Sequence, residues 1–321
     1  MVLDTTPVTA RSLGEFFFTD GDTLERCYKD SLSGFREWDQ VEHASDWVLL
    51  PENIGEHLSI DETSLQDDLF TFLSNKDGHC KRGTIVAAVR GTKAQDVVDV
   101  LLKIPEVERL KVKEVTMDLS ESMADIVTQA FPNATIVLDC FHIMRRCNDA
   151  IEEMRLRCKR EAQAKVRKNE KFRPTVLSTG DTLVELLTRC RCALTQTPDK
   201  LSERTKERMN LLFRLYPKIK ESYDIINKLR AIFRSTSLDR DAARVKLHGW
   251  YKTVNRCTIR EIKSARDAIK SREDNVLNYF LERSTNASAE SLNSKMKGFR
   301  AQLRGVSDLP FFMYRLCQIF G

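Results

Sequence analysis

Two periodicities divide this chain. From His57 the apolar positions come in short, β-prone runs, "HLSI", "DLFTFLS" and "GTIVAAVRG", separated by turn chemistry such as "NKDGHCKRG". "TKAQDVVDVLLKIPEV" changes to helical spacing, with Val97, Val98, Leu101 and Leu102 recurring on one side and Thr92 in the N-cap position. "KVKEVTMD" predicts a strand. "SESMADIVTQAF" predicts a helix opened by Ser120 or Ser122 and closed by "PN", and "ATIVLD" predicts another strand. After His142 the pattern predicts helices alone for about 140 residues. These run roughly over 145–170, 181–195, 200–215, 217–233, 238–255 and 259–282, with breaks near "FRPTVLSTG", "TPDK" and "STSLD". Ahead of His57 lies an acidic stretch with an aromatic patch, "EFFFTD", and a helix through "DTLERCYKDSLSGFREWDQ". Trp38 and Trp47 are expected to tuck onto the main body, and "LPENIGEH" breaks the pattern before the strands begin.

The element order from His57 is β-β-β-α-β-α-β. Three closely spaced strands pair antiparallel; the last two return through helices and therefore lie parallel. The predicted fold class is α/β, a mixed five-stranded sheet in the ribonuclease-H-like order carrying a large all-helical insertion. Four segments follow: an acidic N-terminal helical segment over 1–55, the first part of the core over 56–144, the insertion over 145–283, and a C-terminal part of the core over 284–321.

Charge sharpens this division. The chain of 321 residues has a net charge of +5, but residues 1–70 hold 16 acidic and 4 basic side chains. That segment is −12, so the remainder carries +17. A basic body points to a polyanion as partner, although basic helices also serve solubility alone. Residues 140–174 hold 11 Lys or Arg against 5 Asp or Glu; Arg145 and Arg146 in this arm are expected to face DNA. Nine scattered cysteines without a CxxC pair read as free thiols in a reducing compartment. A zinc site at Cys140, His142 and Cys147 can be drawn but lacks a second ligand pair at finger spacing. The apolar runs are too short to cross a bilayer. The first residues lack the basic start of a secretory signal, so the expected location is cytoplasmic. "GTIVAAVRGTK" is not a phosphate-binding loop, and nothing in the spacing indicates ATP use.

Three acids carry the candidate chemistry. Asp61 ends the apolar run of "HLSIDETS", and Asp118 ends that of "VKEVTMDLS". In the expected sheet order these strands are neighbours, so the two carboxylates emerge side by side. A single Asp at a strand end is more often a turn former; two on adjacent strands are harder to dismiss. Over 287–304, Ala289, Leu292, Met296, Phe299 and Leu303 form the buried stripe of a helix. Shifted by one residue, Glu290, Asn293, Lys297, Arg300 and Arg304 form a polar stripe beside it. Glu290 would then face the two aspartates, with Lys297, Arg300 and Arg304 along phosphates beyond. An ordinary amphipathic surface helix would look the same. Carboxylates gathered this way suit two Mg²⁺ ions about 4 Å apart, an arrangement that activates an attacking oxygen and stabilises a leaving one. Asp139 and His142 in "VLDCFHIMRR" compete. Asp139 ends the fifth strand, further from Asp61 than Asp118 is, so the pair, together with Asn293, is expected beside the metals or against a flanking nucleotide. A structural histidine is the plain alternative.

The chain resembles insertion-sequence DDE transposases of the ISL-three kind, and within them the ISAon-type catalytic subunits. The resemblance lies in "LLPENIGEHLSIDETSL", "VAAVRGTKAQDVVDVLLKIPEV", "VTMDLSESM", "FPNATIVLDCFHI", "GDTLVELLTRCR", "LFRLYPKIKESY" and "RSTNASAESLNSKMKGFRAQLRGVSDLPFFMYRLCQIFG", in order, from about residue 20 to the end. It implies Asp61, Asp118 and Glu290 as catalytic metal ligands, and an Asp-x-x-His signature at Asp139 and His142. It also implies Mg²⁺, with Mn²⁺ as a substitute, and DNA cleavage followed by attack of a 3′-hydroxyl on target DNA. The expected partners are double-stranded DNA, further copies of the chain on that DNA, and a separate small subunit carrying the helix-turn-helix and zinc-ribbon segment of larger relatives. The expected setting is a bacterial nucleoid, with no membrane. Two other readings stay open: a nuclease or resolvase that cuts without joining, and an inactive DNA-binding protein.

Overall fold

The computed structural model describes residues 2–65, 68–167, 174–303 and 308–321. The chain divides into two compact units, one formed by Met1–Asp139 with Ser284–Gly321 and the other by Cys140–Arg283.

The first unit begins with short helices, α1 (Val2–Thr5), α2 (Ala10–Phe17) and α3 (Gly21–Cys27), and then builds a sheet. Among the described residues the sheet has six strands: β1 (Trp47–Leu49), β2 (His57–Leu65), β3 (Asp68–Asn75), β4 (Ile85–Arg90), β5 (Glu114–Met117) and β6 (Thr135–Leu138). Their order is β1-β4-β3-β2-β5-β6. β2, β3 and β4 pair antiparallel, while β2–β5 and β5–β6 are parallel. The five strands expected from the sequence are present in the ribonuclease-H-like order. The sixth, β1, adds at the far edge by pairing antiparallel with β4. It was hidden because three residues give no readable alternation; Val48 and Leu49 are nevertheless buried there.

Between strands lie α4 (Ala94–Leu101), α5 (Glu106–Arg109) and α6 (Glu121–Ala130). α4 and α6 bury Val97, Val98, Leu101, Met123, Ile126 and Val127. Their starts differ in kind. The Ser120 hydroxyl accepts the Met123 N–H at α6, as expected. The N-cap of α4 is Lys93, without a side-chain cap, rather than Thr92; the Thr92 carbonyl instead accepts the Ser122 hydroxyl at 2.6 Å.

The second unit is helical throughout its described residues: α7 (Cys140–Arg167), α8 (Leu183–Arg189), α9 (Glu203–Leu215), α10 (Pro217–Arg234), α11 (Arg240–Arg256), α12 (Arg260–Lys270), α13 (Glu273–Leu277) and α14 (Tyr279–Glu282). α8 opens with a reciprocal cap between Thr182 and Glu185. Buried Arg155 donates to the Leu187 carbonyl at 2.9 Å and to Glu152 at 2.6 Å, so the long helix α7 is tied to α8 through a satisfied charge. Asp181, also buried, takes the guanidinium groups of Arg189 and Arg208.

The chain returns to the first unit as α15 (Ala287–Gln302) and α16 (Leu309–Phe320). Leu292, Met296 and Phe299 of α15 and Phe312, Met313, Leu316, Ile319 and Phe320 of α16 share one core with Val48, Leu65, Phe70, Phe72, Ile85 and Ala88 of the sheet. The predicted buried stripe of α15 is therefore the face laid on the strands. The N-terminal segment closes over α16 through Leu3, Tyr28, Phe35, Phe311 and Tyr314, and Trp38 packs on it as expected. At the centre of this closure Arg315, only 4% exposed, sits 5.2 Å from the rings of both Tyr28 and Phe299. It donates to the carbonyls of Thr6 and Val8 at 3.4 and 3.2 Å. One cation thus joins the first residues of the chain to the helix that carries Glu290. Arg315→Ala should lower unfolding stability by about 2–3 kcal/mol, since two half-buried carbonyls lose their donor and the packing of the guanidinium on Tyr28 and Phe299 is lost. Urea titration followed by circular dichroism measures this, and an unchanged midpoint would refute the closure.

Candidate active site at the end of the parallel strands

The site begins with strand register. β2 and β5 pair as His57↔Glu114, Leu58↔Val115 and Ser59↔Thr116. Continued by two residues, that register sets Asp61 across from Asp118. Asp118 follows the last residue of β5, as expected. Asp61 does not end its strand. β2 runs on to Leu65, paired with β3 as far as Leu65↔Asp68. What ends near Asp61 is β5, and α15 lies against β2 from there on. Asn293 Nδ2 donates to Asp61 Oδ2 at 2.8 Å, and Arg300 Nη1 donates to the Ser64 carbonyl at 3.4 Å. The polar residues "DET" look like a strand end only because the partner changes there from strand to helix.

The remaining predicted residues fall as follows. Glu290, half-buried, lies in the first turn of α15. Asp139 follows β6 and is 2% exposed; its carboxylate and that of Glu290 offer oxygens within 4.8 Å of each other. His142 stands three residues after Asp139, in the first turn of α7. Asn293 belongs to the predicted polar stripe but is 8% exposed, because it is turned onto Asp61. Lys297 is exposed and Arg300 half-buried, while Arg304 lies outside the described residues. Arg145 and Arg146 are exposed on α7 in the second unit.

Each aspartate near the strand ends is held by backbone. Asp61 Oδ1 accepts the Glu62 N–H at 2.9 Å, and Asp118 Oδ1 accepts the Ser120 N–H at 2.7 Å. Asp118 is therefore both a turn former and a candidate ligand. Glu62 is an acid that the sequence reading did not single out. Burial first, then the negative charges of Asp118 and Asp61, push its carboxyl above the ordinary glutamate value of 4.5. The clue was the pair of adjacent acids in "IDET".

Asp61, Asp118, Asp139 and Glu290 present only hard carboxylate oxygen. Such donors suit Mg²⁺ or Mn²⁺ rather than a thiophilic ion. The nine cysteines are free thiols, and burial pushes that of Cys147 up to about 12.

Without metal, the charge on Glu62 opposes folding. Its proton is held more tightly in the folded chain than in the unfolded one, so the cost grows as pH rises through 4.5 and is complete above the raised folded value. In EDTA at pH 7.5, Glu62→Gln should raise the melting temperature by about 2 °C. The gain should vanish below pH 4.5, where both states are protonated. Differential scanning fluorimetry across pH checks it, and a gain independent of pH would contradict the electrostatic cause.

A family model described as "Transposase", for the ISL3 group of DDE enzymes, matches residues 58–316. The chain is 27% identical over 204 residues to the transposase for insertion sequence element IS1557 of Mycobacterium tuberculosis, strains CDC 1551 / Oshkosh and ATCC 25618 / H37Rv. The match covers 60% of this chain and 45% of the length of those relatives. A solved structure, the Drosophila P element transposase strand transfer complex, is similar over 96% of this chain and 87% of that one, with a TM-score of 0.44 and 12% identity. No described helix is long and apolar enough to cross a membrane. With 58–316 spanning both aspartates, the helical unit and the helix of Glu290, the chain belongs to the ISL3 family of DDE transposases.

Proposed function

We propose that the chain catalyses metal-dependent cleavage and strand transfer of DNA at the ends of an insertion sequence. The observation that supports this most is that the β2–β5 and β5–β6 registers lead to Asp61, Asp118 and Asp139 at neighbouring positions, with the carboxylates of Asp139 and Glu290 offering oxygens within 4.8 Å of each other, in a chain that the transposase family model matches. Asp61, Asp118 and Glu290 would hold the ions, with Asp139 and His142 beside them. The short approach of Asp139 to Glu290 makes Asp139 a candidate ligand in its own right. Bound Mg²⁺ or Mn²⁺ would supply Lewis acidity at the scissile phosphate and lower the pKa of an attacking water or 3′-hydroxyl. The residues of the chain orient the acids: Asn293 fixes one oxygen of Asp61, and Ser120 fixes one of Asp118.

Charge distribution supports DNA as the partner. Residues 140–283 hold 34 basic and 19 acidic side chains, a net +15, whereas the rest of the chain is −10. Affinity for phosphate would come mainly from the helical unit, including Arg145 and Arg146, with Lys297 and Arg300 on α15 as local contacts. Synapsis of two DNA ends calls for at least two copies of the chain. A separate small subunit would supply recognition of the element's ends. The exposed Phe16, Phe17 and Phe18 stand in the acidic N-terminal segment proposed to meet it. Action on DNA would put the protein at a bacterial nucleoid.

Incubation with labelled terminal repeats and Mg²⁺ or Mn²⁺, with pre-cut ends included, tests the reading. Wild type should both nick and join, and Asp61→Asn, Asp118→Asn or Glu290→Gln should slow cleavage by about 10³-fold while leaving DNA binding intact. Cutting without joining would make the chain a nuclease. Undiminished activity in Asp61→Asn would remove the metal site. Replacing Arg145 and Arg146 together by Ala should weaken binding equally on specific and random DNA and reduce the log–log salt slope by about 2. Gel-shift titration over a range of salt reads this directly.

A further inference from the structure

We propose that Ser59, Thr116 and Asn286 form a buried polar chain that positions the acidic side chains before any ion binds. The proposal rests on the metal-site reading above. All three residues are completely buried. Ser59 and Thr116 are register partners on β2 and β5, and their hydroxyl oxygens are 2.9 Å apart. Thr116 Oγ1 lies 3.3 Å from Asn286 Oδ1 and 3.3 Å from the Leu58 carbonyl. The Ser59 carbonyl accepts the hydroxyl of Ser74 on β3, also at 3.3 Å. With one proton per hydroxyl, Ser59 donates to Thr116, and Thr116 donates onward to Asn286 or Leu58.

Each member stands at a fixed remove from an acid. Ser59 is two residues before Asp61 and Thr116 two before Asp118, so each shares a strand face with its carboxylate. Asn286 is four residues before Glu290, and its carbonyl accepts the Glu290 N–H at 3.0 Å. Asparagine at a helix N-cap ordinarily turns its side chain back onto the first free N–H groups. Asn286 occupies the N-cap of α15 and makes no such bond. Its amide reaches into the sheet instead, and Asn286 Nδ2 is buried without a partner among the described residues. Burying polar groups in a core is costly, and apolar side chains would fill the space without that cost. What the polar chain gives in return is a direct link between the two strands and the helix that bear Asp61, Asp118 and Glu290. These are positioning residues, since they act through the carboxylates.

The test uses the full chain and Mn²⁺ alone as probe, with calorimetric titration and an independent melting curve. Thr116→Val, which keeps shape and removes the hydroxyl, should weaken Mn²⁺ binding about tenfold, as loss of a group orienting metal ligands does. Thr116→Ser should restore affinity. Asn286→Ala should reproduce the loss, and it carries the test if Thr116→Val fails to fold. A parallel fall in cleavage rate should appear at limiting Mn²⁺ and shrink at saturation. Wild-type Mn²⁺ affinity in both Thr116→Val and Asn286→Ala would overturn the positioning role and leave the metal site standing. Binding to wild type that Asp61→Asn does not reduce would overturn the metal site and this proposal with it.

Discussion

The structure depends on holding like charges together. Asp61 and Glu62 on β2 and Asp118 after β5 lie close together, and burial first, then the charges of Asp118 and Asp61, push the Glu62 carboxyl up. Asp139 and Glu290 add a second close approach. Carboxylates so placed repel unless ions intervene, and flexible elements would simply part. Here the backbone does not yield. The strands are locked by ladders on either side, and α15 buries Leu292, Met296 and Phe299 against them. Hydrophobic burial, at roughly 1.5–3 kcal/mol for each such side chain, opposes the repulsion from outside the site. This explains why the C-terminal helices and the acidic N-terminal segment gather around Phe299 and Arg315: the helix bearing Glu290 needs a cover on its far side to stay seated.

Most of this fold was legible because its strands are short apolar runs with helices between them, and handed crossovers leave few sheet orders. The failures have local causes. β1 escaped because three residues carry no period. Asp61 was placed at a strand end because "DETS" is polar, but the strand continues through buried Thr63 and Leu65 against β3. Periodicity put Asn293 on the polar stripe beside Glu290 but could not name its partner, which is Asp61. Glu62 and Asn286 left weaker marks. An acid beside an acid, and an asparagine opening a helix, have ordinary readings, and only tertiary neighbours separate the two kinds.

The acids were singled out in the sequence for a chemical reason. The proposed phosphoryl transfer by metal ions asks any chain for oxygen ligands fixed on rigid elements, and neighbouring strands meet that demand whether they end together or, like β2 beside β5, one runs on. Register between β2 and β5 makes the alignment of Asp61 and Asp118 a consequence of hydrogen bonding two residues earlier, not of the aspartates' own interactions.

Charge then separates two tasks along the chain. The sheet unit is −10 and the helical unit +15. A unit that must gather carboxylates is poorly suited to attract a polyanion, and its field would repel DNA at distances up to the Debye length, about 8 Å at physiological salt. If DNA is the partner, as proposed, the cations of the long insertion between Asp139 and Ser284 offset that repulsion. On the proposed function, the positive charge a polyanion needs lies in the insertion, while the sheet unit carries the acids.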